Sequence, residues 1–168
     1  MSTGLWDVLA LQGITFPSGN ISSEATAGFE VKDDRYTAYM HLTEATFVTD
    51  AYLSMALGTY TKNVSAAQAK KLQGVTAGEY ITAYCELYAD TLAGTREANL
   101  EIEFFNESGT KQGETTELAV SEAATWEAFA QPILVPVGAT RVNFYLHAAC
   151  SNGETVQVWC ANIKITRA

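Results

Sequence analysis

The sequence predicts an all-β chain, an antiparallel jelly-roll β-sandwich carrying an N-terminal arm. Three observations lead there. Apolar and polar residues alternate with period two along several short stretches, turn-forming residues separate those stretches, and no long segment repeats its apolar residues with the 3.6-residue period of a helix.

Residues 1–25 differ from the rest of the chain. Leu5, Trp6, Val8, Leu9 and Leu11 form an apolar cluster that reads as a short strand or one helical turn, and Phe16-Pro17-Ser18-Gly19-Asn20 is a turn signal. This arm is expected to pack across the sandwich or to reach a neighbouring subunit, with residues 26–168 forming the sandwich itself. Arg35 to Leu42 is rich in β-formers. Ala45 to Val48 and Tyr52 to Leu57 read as further strands, and 64–72 as an irregular connection.

Beyond Glu79 the alternation sharpens. Ile81, Ala83, Cys85 and Leu87 share one face, with Tyr80, Thr82, Tyr84, Glu86 and Tyr88 on the other. Leu100, Ile102 and Phe104 alternate with Asn99, Glu101, Glu103 and Phe105. Val142, Phe144, Leu146 and Ala148 alternate with Arg141, Asn143, Tyr145 and His147. Asn106 to Gly109 is a turn, and Asn152-Gly153 is expected to turn the chain tightly into the last strand. That hairpin would pair Cys150 with Thr155 and Cys160 with Tyr145, keeping the two cysteines apart. With Cys85 in an apolar strand, three cysteines are expected as free thiols in a reducing compartment.

The chain has 168 residues, 48% hydrophobic and 17% charged, enough for one domain with a full core. Its net charge of −9 argues against nucleic acid, which needs clustered Lys and Arg, and against an anionic membrane surface. No apolar run is long enough to span a bilayer. The first residues lack the basic stretch of a signal peptide, so synthesis in the cytosol is expected. The three Asn-x-Ser sequons, at Asn20, Asn63 and Asn106, are then chance matches.

Several segments together resemble carbohydrate-binding modules of the jelly-roll type. They are Gln73-Gly74-Val75-Thr76-Ala77-Gly78-Glu79-Tyr80, Phe105-Asn106-Glu107-Ser108-Gly109, Trp126 with Val135-Pro136-Val137-Gly138-Ala139-Thr140-Arg141-Val142, and the closing run from Val158 to Ile165. Gly28-Phe29-Glu30 is similar to the G-F-E near the start of such modules. The resemblance covers roughly 28–165 and lies mostly in turn and core positions. Gly78 and Gly109 suit turns with positive φ, and Trp126 is expected to fill core volume between the sheets. The resemblance also implies a structural calcium held by an early Glu and an acidic residue of the closing strand. Glu30 fits, but Ala161 stands at the acidic position and offers no ligand, so no metal or other cofactor is expected.

Tyr80, Tyr84 and Tyr88 form the leading candidate for ligand binding, with Thr82 and Glu86 between them. Successive rings four residues apart on a strand lie about 13 Å apart, a spacing at which they stack on sugar rings. A protein interface and an inward, core-facing stripe are the competing readings. Glu101 and Glu103 resemble half of the carboxylate motif of laminarinase-type jelly-roll glycosidases, but a third carboxylate is missing, and a solvated strand face is expected there. Asp33-Asp34 with Glu30 offers oxygens for loose binding of a hard cation, but the segment reads first as an acidic loop. His41 and His147 lack metal-ligand spacing.

The expectation is therefore a non-catalytic protein. Phage surface proteins reuse this type of sandwich, so the resemblance implies a structural or attachment protein of a virion surface, a capsid decoration or fibre component. It would be made in the host cytoplasm and partnered by further copies of itself or by other virion proteins. A stand-alone carbohydrate-binding module, extracellular after secretion and binding glycan through the tyrosines, is the alternative.

Overall fold

A computed structural model describes residues 4–7, 19–22, 25–42, 49–54, 70–72, 74–151 and 153–167. Among them are twelve strands and no helix: β1 (Gly4–Asp7), β2 (Gly19–Ser22), β3 (Ala25–Lys32), β4 (Arg35–Leu42), β5 (Thr49–Ser54), β6 (Lys70–Lys71), β7 (Tyr80–Ala89), β8 (Glu97–Phe105), β9 (Lys111–Ala119), β10 (Glu127–Leu134), β11 (Arg141–Cys150) and β12 (Val156–Arg167). They form two antiparallel sheets. The first runs β10-β7-β12-β4-β3-β2, with β1 also pairing β12; the second runs β5-β11-β8-β9, with β6 also pairing β11. This is the all-β sandwich the alternation predicts.

The inner faces meet in one apolar core. Met40, Leu42, Ile81, Leu87, Ile163 and Ile165 come from the first sheet, and Leu100, Ile102, Phe104, Val142 and Leu146 from the second. Each is essentially closed to solvent, and burial of this kind is worth roughly 1.5–3 kcal/mol per large side chain.

The expected turns hold at two places. The β8–β9 hairpin closes through Asn106, whose Oδ1 accepts the Thr110 amide at 2.8 Å, with Gly109 at φ 86°. Gly78 turns into β7 at φ 89°. An unforeseen hairpin joins β3 to β4 through Asp33 and Asp34 alone, at φ 50° and 61°, the left-handed pair of a two-residue turn.

The expected hairpin around Gly153 does not form. β11 and β12 lie in different sheets, so the chain crosses between layers there. Glu154 braces the crossing. Its carboxylate accepts the Ser151 amide at 3.1 Å and the Thr95 hydroxyl at 2.5 Å, and pairs with Arg96 at 3.3 Å. Turn chemistry at Gly153 thus reports a reversal of direction, not a pairing partner. Cys85, Cys150 and Cys160 are buried free thiols. Burial pushes the Cys160 thiol well up, and the adjacent Cys85 thiol adds to this, so Cys160 is not poised to react.

Parts of the expected arm join the first sheet. Gly4–Asp7, holding Leu5 and Trp6, pairs antiparallel with the end of β12, and Gly19–Ser22 pairs with β3. Val8, Leu9 and Leu11 lie outside the described residues, as do 43–48 and 55–69. Lys70 and Lys71, read as connection, pair with the start of β11.

A bulge in β12 changes the phase of that strand within the first sheet. Ala161 and Lys164 lie opposite Glu86 and Tyr84, three positions on one strand against two on the other. Asn162 takes the bulge at φ 54°, and its Nδ2 donates to the Glu86 carboxylate. Strict alternation from Cys160 would have turned Lys164 into the core and Ile163 out to solvent. The bulge reverses both. Replacing Asn162 by Val, which tolerates positive φ poorly, is expected to lower unfolding free energy by about 2 kcal/mol, whereas Asn162→Gly costs about half that. Urea unfolding of the two variants checks the difference.

Candidate functional site

The outer face of the first sheet carries the aromatic surface. On β7 the burial alternates strictly: Ile81, Ala83, Cys85, Leu87 and Ala89 are buried, while Thr82, Tyr84, Glu86 and Tyr88 are half-buried and Tyr80 is 55% exposed. The tyrosine stripe therefore faces outward and is not core.

One row of this face crosses four strands. Register places Gly28 of β3 beside Tyr39 of β4, Tyr39 beside Trp159 of β12, and Trp159 beside Tyr88 of β7. Gly28 is small for a reason. A Cβ there would sit 3.1 Å from the Tyr39 hydroxyl and 3.2 Å from its ring, so the ring lies directly across the glycine. Tyr88 meets Trp159 edge-on at 5.5 Å and Trp126 at 5.4 Å, both between centroids. Tyr39 and Trp159 flank His41 at 4.5 and 5.0 Å.

Trp126 thus corrects the expectation of an inter-sheet filler. It stands just ahead of β10, half-buried, and its indole N–H donates to Asp33 Oδ2 at 3.0 Å. Arg35 lies over its ring at 4.6 Å. β10 is an edge strand paired only with β7, and this puts the tryptophan at the rim of the outer face. Trp159 lies on the same face but is buried, with its indole N–H donated to Glu30 Oε1. That contact gives the early glutamate a role in the aromatic row.

Charges hold this half of the face in place. Lys32 Nζ sits 4.4 Å from the centroids of both Tyr88 and Trp159. Its distance to Asp33 is 3.9 Å, and that carboxylate is 55% exposed. An exposed pair at this range is worth almost nothing, whereas cation–π contact is worth about 0.5–1 kcal/mol, so the rings position the lysine. Arg35 donates through Nε and Nη2 to Glu86 Oε1 at 3.3 and 3.1 Å, while Asn162 donates to Oε2. The Arg35 hydrogen bonds hold the Glu86 carboxyl below its ordinary value, against the opposing effect of burial, and Asn162 adds to the lowering. Both Glu86 oxygens are therefore engaged within the protein. Thr82 lies between Thr166 of β12 and Pro132 of β10.

The other half of the stripe is open. Lys164 lies over the Tyr84 ring at 4.9 Å. Ala130, Pro132 and Leu134 of β10 pair with Tyr84, Thr82 and Tyr80 and give the stripe an exposed apolar border. Pro132 is compatible with this position because β10 is an edge strand. At the end of the stripe an open depression of about 350 Å³ is lined by Gly78, Glu79, Tyr80 and Arg167.

The second sheet differs. Glu101 and Glu103 are 7% and 4% exposed, so the expected solvated face is a buried one. Glu103 accepts the Thr115 hydroxyl at 2.8 Å and faces Lys111 at 3.3 Å. Asn99 donates to Glu117 at 2.8 Å and contacts His147 Nδ1 at 3.2 Å. Glu103 and Asn99 are thus tied into polar contacts that offset the cost of burying them. Among the described residues no cluster of three His, Cys, Asp or Glu is arranged to hold a metal ion.

No known family profile matches the sequence, and no curated protein matches it. Solved structures match the fold. An enzymatically active domain of tailspike protein 4 from bacteriophage CBA120 superposes with a TM-score of 0.56 at 12% identity, over 86% of this chain; the match spans 18% of the tailspike chain. The family 11 carbohydrate-binding module of a Clostridium thermocellum cellulosomal cellulase gives 0.52 at 12% identity, over 100% of this chain and 95% of the module. The C-terminal family 22 module of a Clostridium thermocellum xylanase gives 0.53 at 10%, over 96% and 91%. The chain thus has the β-sandwich fold of carbohydrate-binding modules.

Burial lowers the His41 pKa from its ordinary 6.5; Glu30 and Asp90 oppose the shift, and Lys32 adds to it. The unfolded chain then binds a proton at a pH where the folded chain does not. Stability attributable to His41 is complete above pH 6.5 and is lost as pH falls below it towards the depressed value, with a slope of at most about 1.4 kcal/mol per pH unit. Unfolding free energies measured between pH 7.5 and 5.0, spaced by about half a unit, are expected to decline in the native chain and flatten in His41→Gln.

Proposed function

We propose that this chain is a non-catalytic glycan-binding domain that attaches a larger assembly to its target, with the outer face of the first sheet as its ligand surface. One observation carries the reading. Two outward tyrosines, Tyr80 and Tyr84, stand in line on β7 beside an apolar border, and the far end of that line is stiffened by Tyr88, Trp126 and Trp159. Aromatic rings held rigidly on strands lose little entropy when a sugar face stacks on them. Polar groups beside them, Thr82 foremost, give hydrogen bonds to hydroxyls. The fold shared with carbohydrate-binding modules supports the same reading.

The setting we infer is a phage virion surface, as a decoration or fibre component among copies of itself or other virion proteins. The likeness to a bacteriophage tailspike domain favours it. A stand-alone carbohydrate-binding module would use the same tyrosine surface.

Tyr84→Ala tests the ligand surface. The ring lies at the centre of the stripe and partly exposed, so its removal is expected to cost under 1 kcal/mol of stability while weakening glycan affinity by 10-fold or more, about 1.4 kcal/mol. Glycan-array binding of the two proteins, with thermal melts as a folding control, gives the comparison. Equal binding by Tyr84→Ala would remove the tyrosines from the site.

A further inference from the structure

The cations of this chain are distributed unevenly. Ten Lys and Arg stand against nineteen Asp and Glu, so a partner carboxylate is easy to find. Of the eight cations with described side chains, six lie within 4.0 Å of one: Lys32, Arg35, Lys71, Arg96, Lys111 and Arg141. The two remaining are Lys164 and Arg167, three positions apart near the end of β12. Among the described residues neither side chain makes an ion pair or hydrogen bond. Both are exposed, and both sit at the open half of the tyrosine stripe: Lys164 over Tyr84, Arg167 in the depression beside Tyr80.

Their placement is built into the backbone. The Asn162 bulge turns Lys164 outward over β7. Gly74, at φ 69°, leaves room for the Arg167 guanidinium, whose Nη2 lies 2.5 Å from where a Cβ would stand. Across the sheet, β10 presents only Ala130, Pro132 and Leu134 beside the tyrosines, and the carboxylate that shares the depression with Arg167, that of Glu79, turns to accept the Thr76 amide at 2.8 Å. The other half of the face is the reverse, since Glu30, Asp33 and Glu86 there engage Trp159, Trp126, Lys32 and Arg35.

We propose that the ligand is an anionic glycan, its sugar rings stacked on Tyr84 and Tyr80 and its carboxylate or sulfate groups received by Lys164 and Arg167. This rests on the glycan-binding reading and adds the ligand's charge to it. The arginine offers a planar fork that matches carboxylate or sulfate oxygens, and the lysine a mobile point charge. On binding, the lysine leaves the Tyr84 ring for the ligand's anion and frees that ring for the sugar. In a chain of net charge −9, two unpaired cations beside stacking rings also select the acidic ligand from neutral ones of the same shape.

The test is calorimetric titration of the full chain with matched pairs of glycans. The probes are hexagalacturonate and its carboxyl-reduced form, a chondroitin sulfate hexasaccharide and its desulfated, carboxyl-reduced form, sialyllactose and lactose, with cellohexaose and xylohexaose as neutral references. At least one acidic probe is expected to bind about 10-fold or more tightly than its neutral partner, the preference shrinking when salt is raised from about 20 to about 500 mM. Lys164→Gln and Arg167→Gln are each expected to weaken the acidic probe about fivefold and leave the neutral one unchanged, with Lys164→Arg retaining most of the affinity. Neutral glycans binding as tightly as acidic ones, or acidic binding indifferent to both glutamine variants, would overturn the anionic ligand and leave glycan binding standing. No binding by any probe would overturn both. The variants are at exposed positions, and near-UV circular dichroism verifies that each is folded.

Discussion

The arrangement depends on one strand changing phase. β12 pairs β7 along most of its length, β4 through its first half and β1 through its second, so it is the central element of the larger sheet. Its apolar residues are out of step: Val158 and Cys160 belong to one alternation, Ile163 and Ile165 to the other. A regular strand in phase with Val158 and Cys160 would bury Lys164 and expose both isoleucines, and an unpaired buried ammonium costs several kcal/mol. The Asn162 bulge removes the conflict. It keeps the core continuous on one side and, on the other, places Trp159 beside Tyr88 and Lys164 over Tyr84. Core and outer aromatic face are thus two sides of the same local solution.

The larger sheet then divides its outer surface by chemistry. Where β3 and β4 flank β12, charges and rings satisfy one another: Arg35 with Glu86, Lys32 over two rings, both Trp126 and Trp159 donating to carboxylates. These contacts stiffen the surface and leave few groups free for a ligand. Where β10 and the end of β12 flank β7, rings and cations stand open. The outer surface thus has one end where packing and hydrogen bonds fix the ring geometry and another where rings and cations stand open.

Much of this is legible in the sequence. Period-two alternation in 80–89, 99–105 and 141–148 identifies the strands and which residues share a face, because a strand sends alternate side chains to opposite sides. Which face is inner needs the packed sheets, where β7 is half-buried outside and β8 and β11 are buried on both sides. Asn106 to Gly109 locates its hairpin because the side chain itself closes the turn. The features that escape such reading need information about pairing across the sheets. The Gly153 region has the residues of a hairpin, yet its flanking strands go to different layers. Trp126 reads as core because hydrophobicity marks burial without marking the face, and its Asp33 partner is 93 positions away. Glu101 and Glu103 look like surface residues, yet both are buried, and the Thr115 and Lys111 partners of Glu103 are brought to it by β9. The aromatic row from Tyr39 through Trp159 to Tyr88 is invisible for the same reason: its members are distant in sequence and adjacent only through register. A signal does exist in Gly28, a glycine inside a strand, which marks close approach of another group.

We propose that glycan binds on the outer face of the larger sheet. The most direct measurement is a nuclear magnetic resonance titration of the labelled protein with the tightest-binding glycan, followed through backbone amides and the indole N–H groups of Trp126 and Trp159. Those indoles donate to Asp33 and Glu30 and so report on the rigid end of the surface. The account predicts the largest shifts at Tyr80, Tyr84 and Lys164, with smaller ones at both indoles. Shifts confined to β8, β9 and β11 would place the ligand on the other sheet and contradict it.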